Sequence, residues 1–176
     1  MRLIIDTGMP GAGKEEFLSA ASGKGLPFIR MGDVVRKYYE ISGLRSKGIS
    51  AGLFAGNERS KHGLGIWAER ATQHMNGDVL LVDGCRSMDE VRTFRKLEKK
   101  TVVLAIHASP AVRYARLLKR NRDDAPSNRT EFEIRDKREI SWGLAEAIAL
   151  SDIMIENMST LENFHKKSEK ILENLI

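Results

Sequence analysis

Five short apolar runs are spread along the chain, and the stretches between them carry apolar positions every three or four residues. The runs are Arg2 to Asp6, Phe28 to Met31, Val79 to Val82, Thr101 to His107 and Ile153 to Ile155. Val79-Leu80-Leu81-Val82 and Val102 to Ile106 are continuously apolar, as parallel strands covered on both faces are. The intervening periodicity predicts helices over Glu15–Ala21, Asp33–Ile41, Asn57–Met75, Met88–Leu97, Pro110–Lys119, Glu131–Ala149 and Leu161–Leu175. Ser109-Pro110 is a strong start signal, with Ser as cap and Pro as first helical residue. Strands alternating with helices imply an α/β fold, a doubly wound parallel five-stranded sheet with right-handed crossovers. Ligands of such a sheet sit at the C-terminal ends of its strands.

Two segments exceed what simple crossovers need. One, about 32–76, reads as a mostly helical insertion, with a mobile Gly- and Ser-rich loop expected from Gly43 to Gly56. The other is the polar stretch Asn121 to Thr130, with Asp123-Asp124, Pro126 and Arg129, inside a lid expected over about 116–140. We read residues 1–176 as a single domain carrying both.

Composition narrows the classes. The 176 residues suffice for one substantial core, and 41% hydrophobic with 30% charged residues is ordinary for a globular chain. The net charge of +5 suits anionic ligands such as nucleotides and does not by itself argue for nucleic acid. The single cysteine, Cys85, excludes an internal disulfide or a cysteine metal cluster and suits a reducing cytoplasm. The start of the chain runs straight into the first apolar run, so neither a signal peptide nor a membrane span is expected.

The chemistry begins after the first run. Gly8-Met9-Pro10-Gly11-Ala12-Gly13-Lys14 has the Gly-x-x-x-x-Gly-Lys spacing of a phosphate-binding loop between a strand and a helix. Glycines let the backbone curl until several N–H groups converge, and the helix that follows adds its positive end. Lys14 supplies a mobile charge for the β- and γ-phosphates, so a nucleoside triphosphate such as ATP fits. The next position, where Ser or Thr would ligate Mg²⁺, is Glu15. Its carboxylate is a harder ligand that could still meet magnesium, repel the phosphates or point away.

Asp83, closing Leu80-Leu81-Val82-Asp83, reads as an acid that orients Mg²⁺, the bland alternative being a turn former. Arginines recur where phosphates would lie: Arg36, Arg86, the pair Arg116 and Arg120 four residues apart, and Arg135 and Arg138 beyond the polar stretch. Arg122 and Arg129 read as surface. Trp67, Trp142, Tyr38 and Tyr39 read as packing rather than base-stacking platforms. Cys85 has no histidine partner near it in sequence, and His62, His74, His107 and His165 lack metal-ligand spacing. The last helix, with Lys166, Lys167, Glu169 and Lys170 outward, reads as a solvated cover.

Several stretches together resemble a known family. They are Gly8 to Lys14, Arg30-Met-Gly-Asp-Val-Val-Arg36, Val82-Asp-Gly-Cys-Arg86-Ser87, Ala105-Ile-His-Ala-Ser-Pro110 and Glu139-Ile-Ser-Trp-Gly143. The family is a group of archaeal P-loop kinases (UPF0200-type) described as related to adenylate kinase and to dephospho-coenzyme A kinase, and the resemblance spans nearly the whole chain. It implies that Arg36 and Arg86 meet an acceptor phosphate, although the Asp83 to Arg86 spacing is one residue shorter than in nucleoside monophosphate kinases. It also implies that Arg116, Arg120, Arg135 and Arg138 meet donor phosphates, and that Ser151 to Asn157 lies beside the donor adenine. Asp6 would sit near the acceptor. The expected activity is ATP- and Mg²⁺-dependent phosphoryl transfer to a nucleotide, AMP first and dephospho-coenzyme A second. In that scheme Lys14, Asp83, Arg120, Arg135 and Arg138 serve catalysis, and Glu15 with Asp83 serves the metal. The competing expectation is a nucleotide-binding switch or ATPase acting on an RNA or protein partner; a weaker one is a homologue that only binds nucleotide.

Overall fold

Leu3, Ile4 and Ile5 are all buried, and they point alternately to the two faces of one sheet, as successive strand residues must. In the computed structural model, residues 3–75, 81–120 and 125–176 are described. Strand β1 (Leu3–Thr7) is central, with β2 (Phe28–Arg30), β3 (Leu81–Cys85), β4 (Thr101–His107) and β5 (Ile153–Glu156) around it. All described pairings are parallel, in the order β2-β3-β1-β4-β5. This is the α/β doubly wound, five-stranded sheet that the alternation implied. The register sets Asp6 of β1 beside Asp83 of β3, and Arg30 of β2 beside Asp83 on its other side.

One face of the sheet (Leu3, Ile5, Val82, Val103) packs under α2 (Met31–Ser42), α3 (Ala51–His62), α4 (Ile66–Thr72), α5 (Met88–Leu97) and α8 (Leu144–Ala149). The other (Ile4, Leu81, Leu104, Ile106, Ile155) packs under α1 (Lys14–Gly23) and α9 (Leu161–Leu175). Two further helices, α6 (Pro110–Lys119) and α7 (Arg129–Ser141), follow β4 and rise over the ends of the strands. No helix among the described residues is long and apolar enough to cross a membrane.

Two expected helices are each broken in two. The 57–75 periodicity is interrupted at Gly63-Leu64-Gly65, where Gly63 has φ +97°. The 131–149 helix stops at Trp142 because Gly143 also has φ +97°, a left-handed conformation that no helix continues through. The mobile loop expected from Gly43 to Gly56 is in fact largely helical. A 3₁₀ turn covers Leu44–Lys47, and α3 begins at Ala51 with Ser50 Oγ accepting from the Leu53 N–H at 3.3 Å. The third strand runs on to Cys85, so Asp83 lies within it rather than at its end. Arg2, Val79-Leu80 and Asn121 to Asp124, Arg122 included, fall outside the described residues.

Phe164 of α9 is fully buried on the α1 face, as the amphipathic reading of that helix requires. Phe164→Ala should cost about 3–5 kcal/mol by transfer loss plus a residual cavity. Urea unfolding measures it, and a loss under 1 kcal/mol would mean α9 is not part of the cooperative core.

Candidate active site

The loop between β1 and α1 takes its shape from three glycines with positive φ: Gly8 (+152°), Gly11 (+81°) and Gly13 (+115°). Each is also hemmed in. A Cβ on Gly8 would lie 2.4 Å from the Ile106 carbonyl oxygen of β4. On Gly11 it would meet the Arg113 carbonyl of α6 at 2.9 Å, and on Gly13 the Asn157 Nδ2 at 2.2 Å. Gly13 caps α1 with no side-chain bond, so no side chain occupies the positive end of that helix as a cap. Lys14 folds back over the loop, its Nζ donating to the Gly8 carbonyl at 2.6 Å. Burial pulls its ammonium below its ordinary value, while Asp6 and Asp83 oppose that pull.

A cavity of about 160 Å³ opens above this loop. Gly8, Pro10, Gly11, Gly13, Lys14 and Glu15 form one wall, and Asp83, Gly84 and Cys85 of β3 with Arg86 just after it form another. Leu117, Arg120, Ala125, Arg135 and Glu139 complete it from α6, α7 and the segment between. Four cationic and three carboxylate side chains thus share one small space. The cations are already partnered in part: Arg86 Nε lies 2.8 Å from Glu139 Oε2, and Arg120 Nη2 lies 3.6 Å from Glu15 Oε2. The Glu139 carboxylate raises the Arg86 guanidinium above its ordinary value, so this charge is permanent. An incoming anion would have to compete with carboxylates for these arginines.

Other residues singled out from the sequence lie elsewhere. Asp6 is fully buried beneath the cavity, with its Oδ1 accepting the Gly84 N–H at 2.9 Å. Its Oδ2 has no hydrogen-bonding donor among the described residues. Burial first, and the neighbouring Asp83 charge second, push this carboxyl well above the usual range. Arg36 is exposed on α2 and paired with Asp33 in its own helix, away from the cavity lining. Arg116 runs behind the loop, donating to the Asn157 carbonyl and side-chain oxygens at 3.1 Å each and to the Ala12 carbonyl at 3.4 Å. Arg138 lies against Gly52 of α3 and over the Trp142 ring rather than in the cavity. Met9 and Ala12 contribute backbone: the carbonyl of Met9 accepts the Ala12 N–H, and that of Ala12 accepts from Asn157 Nδ2. Trp67 and Trp142 are buried packing residues, as read. Cys85 is a buried thiol that burial pushes up, which makes it a poor nucleophile.

Four further positions in and behind the site received no individual role from the sequence. Glu139 reaches the cavity from α7 and holds Arg86. Arg113 is buried behind the loop, donating to the Pro10 carbonyl at 3.1 Å and gripping Asp136 of α7 through two nitrogens at 2.9 and 2.6 Å. Glu90, fully buried, accepts the Arg86 backbone N–H at 2.6 Å. Asn157 joins the loop to the end of β5. Only Glu90 carried a local signal, because Ser87-x-x-Glu90 has capping-box spacing; the others depend on contacts 23 to 145 residues apart.

Comparison with known proteins follows this geometry. A family model described as an AAA domain matches residues 7–134. A UPF0200 protein of Thermoplasma acidophilum is 42% identical over 171 residues, covering 97% of this chain and 94% of that one. One from Methanosarcina barkeri is 37% identical over 180 residues, covering 100% and 97%. The chain is an AAA-domain protein of the UPF0200 family. Among solved structures, a gluconokinase from Sinorhizobium meliloti 1021 matches this UPF0200 chain with a TM-score of 0.66 at 16% identity, covering 99% of it and 93% of the gluconokinase. A shikimate kinase from Bacteroides thetaiotaomicron matches with 0.63 at 14% identity, covering 98% of each. These likenesses establish a shared P-loop kinase-like fold.

The raised carboxyl of Asp6 sets a pH dependence. A folded value above the unfolded one, near 3.8, means a contribution to stability that is complete below that pH and lost as pH rises through the folded value. Asp6→Asn keeps an acceptor for Gly84 and cannot ionise. The stability of Asp6→Asn relative to the unsubstituted chain should therefore rise with pH from about 4 up to the folded value and level off above it. Urea unfolding of both proteins across the pH range checks this, and a margin independent of pH would refute the assignment.

Proposed function

We propose that this chain is an ATP-dependent phosphotransferase whose acceptor already bears a phosphate. The observation that carries the reading is the convergence of Lys14, Arg86, Arg120 and Arg135 with Asp83 around the glycine loop, in one cavity at the ends of β1 and β3. The N–H groups of Gly11, Gly13, Lys14 and Glu15 and the Lys14 ammonium would hold the β- and γ-phosphates of ATP. The donor set also suits Mg²⁺. No group of three or more His, Cys, Asp or Glu side chains among the described residues could hold a metal by itself. Magnesium characteristically takes one or two carboxylates together with phosphate oxygens and water, and Asp83 with Glu15 supplies that number. When bound, Mg²⁺ neutralises charge on the transferring phosphoryl group.

The chain's own residues would do the rest. Arg86 gives up Glu139 for the acceptor phosphate and orients it. Arg120, released from Glu15, and Arg135 approach the transferring group from α6 and α7, which here act as a lid. An acceptor oxygen forms a new bond to the γ-phosphorus as the bond to the β–γ bridging oxygen breaks, and ADP leaves. A phosphate acceptor needs no general base, so positioning and charge neutralisation carry the rate. Asp6, below the cavity floor, supports Asp83 in this scheme and does not touch the acceptor. That favours a phosphate acceptor such as AMP over the hydroxyl of dephospho-coenzyme A, which would require a base. Arg36, on the acceptor-side insertion α2 to α4, would have to leave Asp33 to take part.

ADP formation from Mg-ATP is the test, with AMP, CMP, UMP, GMP, dTMP, dephospho-coenzyme A or no acceptor added. AMP should stimulate it most, and Lys14→Ala should reduce the stimulated rate by at least about a hundredfold. Slow hydrolysis indifferent to every acceptor would replace this reading with a nucleotide-operated switch.

A further inference from the structure

Three guanidinium groups surround one indole outside the cavity. The Cζ atoms of Arg59, Arg138 and Arg86 lie 4.5, 5.5 and 5.8 Å from the centroid of the Trp142 ring. Trp142 ends α7, and α3 receives it on a flat strip. Gly52 and Gly56, one turn apart on α3, face Arg138 and Trp142, one turn apart at the end of α7. A side chain on Gly56 would already meet the indole at 3.4 Å.

Arg59 is the unusual member. It is 3% exposed, and only its Nη2 has a hydrogen-bonding partner, Glu90 Oε1 at 3.0 Å. Its Nε and Nη1 are buried without an acceptor among the described residues. Leaving buried guanidinium donors unmet is costly, and the face of an indole is the group here that compensates. The other oxygen of Glu90 holds the Arg86 backbone N–H. Glu139, three residues before Trp142 on α7, holds the Arg86 side chain. Arg86 is therefore gripped at its backbone through the Arg59–Glu90 pair, at its guanidinium by Glu139, and against the indole that both Arg59 and Glu139's helix position.

We infer that Arg59 and Trp142 are positioning residues for Arg86, a stack that fixes the reach of Arg86 into the cavity and ties it to the acceptor-side helix α3. An anion that draws Arg86 from Glu139 then changes the surroundings of the Trp142 ring. The inference rests on the reading of Arg86 as an anion ligand, but not on catalysis.

Trp142 supplies its own reporter, since the chain has only two tryptophans. In a Trp67→Phe protein, titration with inorganic phosphate, against sodium chloride at equal ionic strength, should shift Trp142 emission saturably. Adding Arg59→Lys, which keeps the charge for Glu90 but loses the planar stack, should raise the half-saturating phosphate concentration about fivefold. By calorimetry, without the Trp67 substitution, Trp142→Phe should bind phosphate within about twofold of the parent and Trp142→Leu about fivefold more weakly. Far-UV circular dichroism verifies that each variant is folded. Absence of a saturable response overturns the inference, as does a response that Arg59→Lys leaves unchanged, or equal affinities for Trp142→Phe and Trp142→Leu. If the response and its dependence on Arg59 appear while no acceptor stimulates ADP formation, the positioning role stands and the kinase reading falls.

Discussion

Everything in this structure is built around a backbone loop that has no room for side chains. Gly8, Gly11 and Gly13 adopt positive φ and are pressed, in turn, by the Ile106 carbonyl of β4, the Arg113 carbonyl of α6 and the Asn157 side chain after β5. The conformation alone would select glycine. The close approach from three separate elements adds a second demand, because those elements wall the loop and leave no space for a Cβ at these positions. The order β2-β3-β1-β4-β5 makes this possible by giving the loop-bearing strand a neighbour on each side.

Charge is the second theme. The buried or half-buried ions around the cavity come in matched sets: Arg86 with Glu139, Arg113 with Asp136, Arg59 with Glu90, Arg120 with Glu15. Buried ion pairs of this kind contribute little net stability, since desolvation offsets attraction, but removing one partner is severe. They hold a specific geometry. Arg113–Asp136 bolts α7 to the back of the loop, and Arg59–Glu90 carries α3 to the backbone of Arg86. The exposed pairs, such as Arg129–Glu133 on α7, have no comparable role. Glu15, in the position where a hydroxyl is usual, also belongs to this pattern, because its partner is a cavity arginine.

Sequence reading and structure part company along a consistent line. The helix start written into the chain by a cap and a proline came out as read, with Pro110–Lys119 beginning at Ser109, and Met88–Leu97 has the bounds its periodicity predicted. Helices whose periodicity ran past a glycine were read too long, because Gly63 and Gly143 each take φ +97°, which a helix does not continue through. Arginine spacing misjudged destinations. Arg116 and Arg120 share a helix face, yet one serves the Ala12–Asn157 side and the other the cavity.

The chain by itself determined the α/β class, the glycine-rich strand-loop-helix and the acid on the third strand. Those features are local: glycine spacing, a lysine at a helix start, continuous apolar runs. Only the tertiary structure decided which arginines share a space, that Glu139 and Glu90 hold Arg86, and that Asp6 sits sealed beneath Asp83 rather than facing the cavity. The physical reason is that charge pairs and hydrogen bonds act over a few ångströms in space, whatever the separation in sequence, so Asn157 can meet the Ala12 carbonyl, 145 positions away, at 2.8 Å. No periodicity encodes such a meeting; the sheet order does.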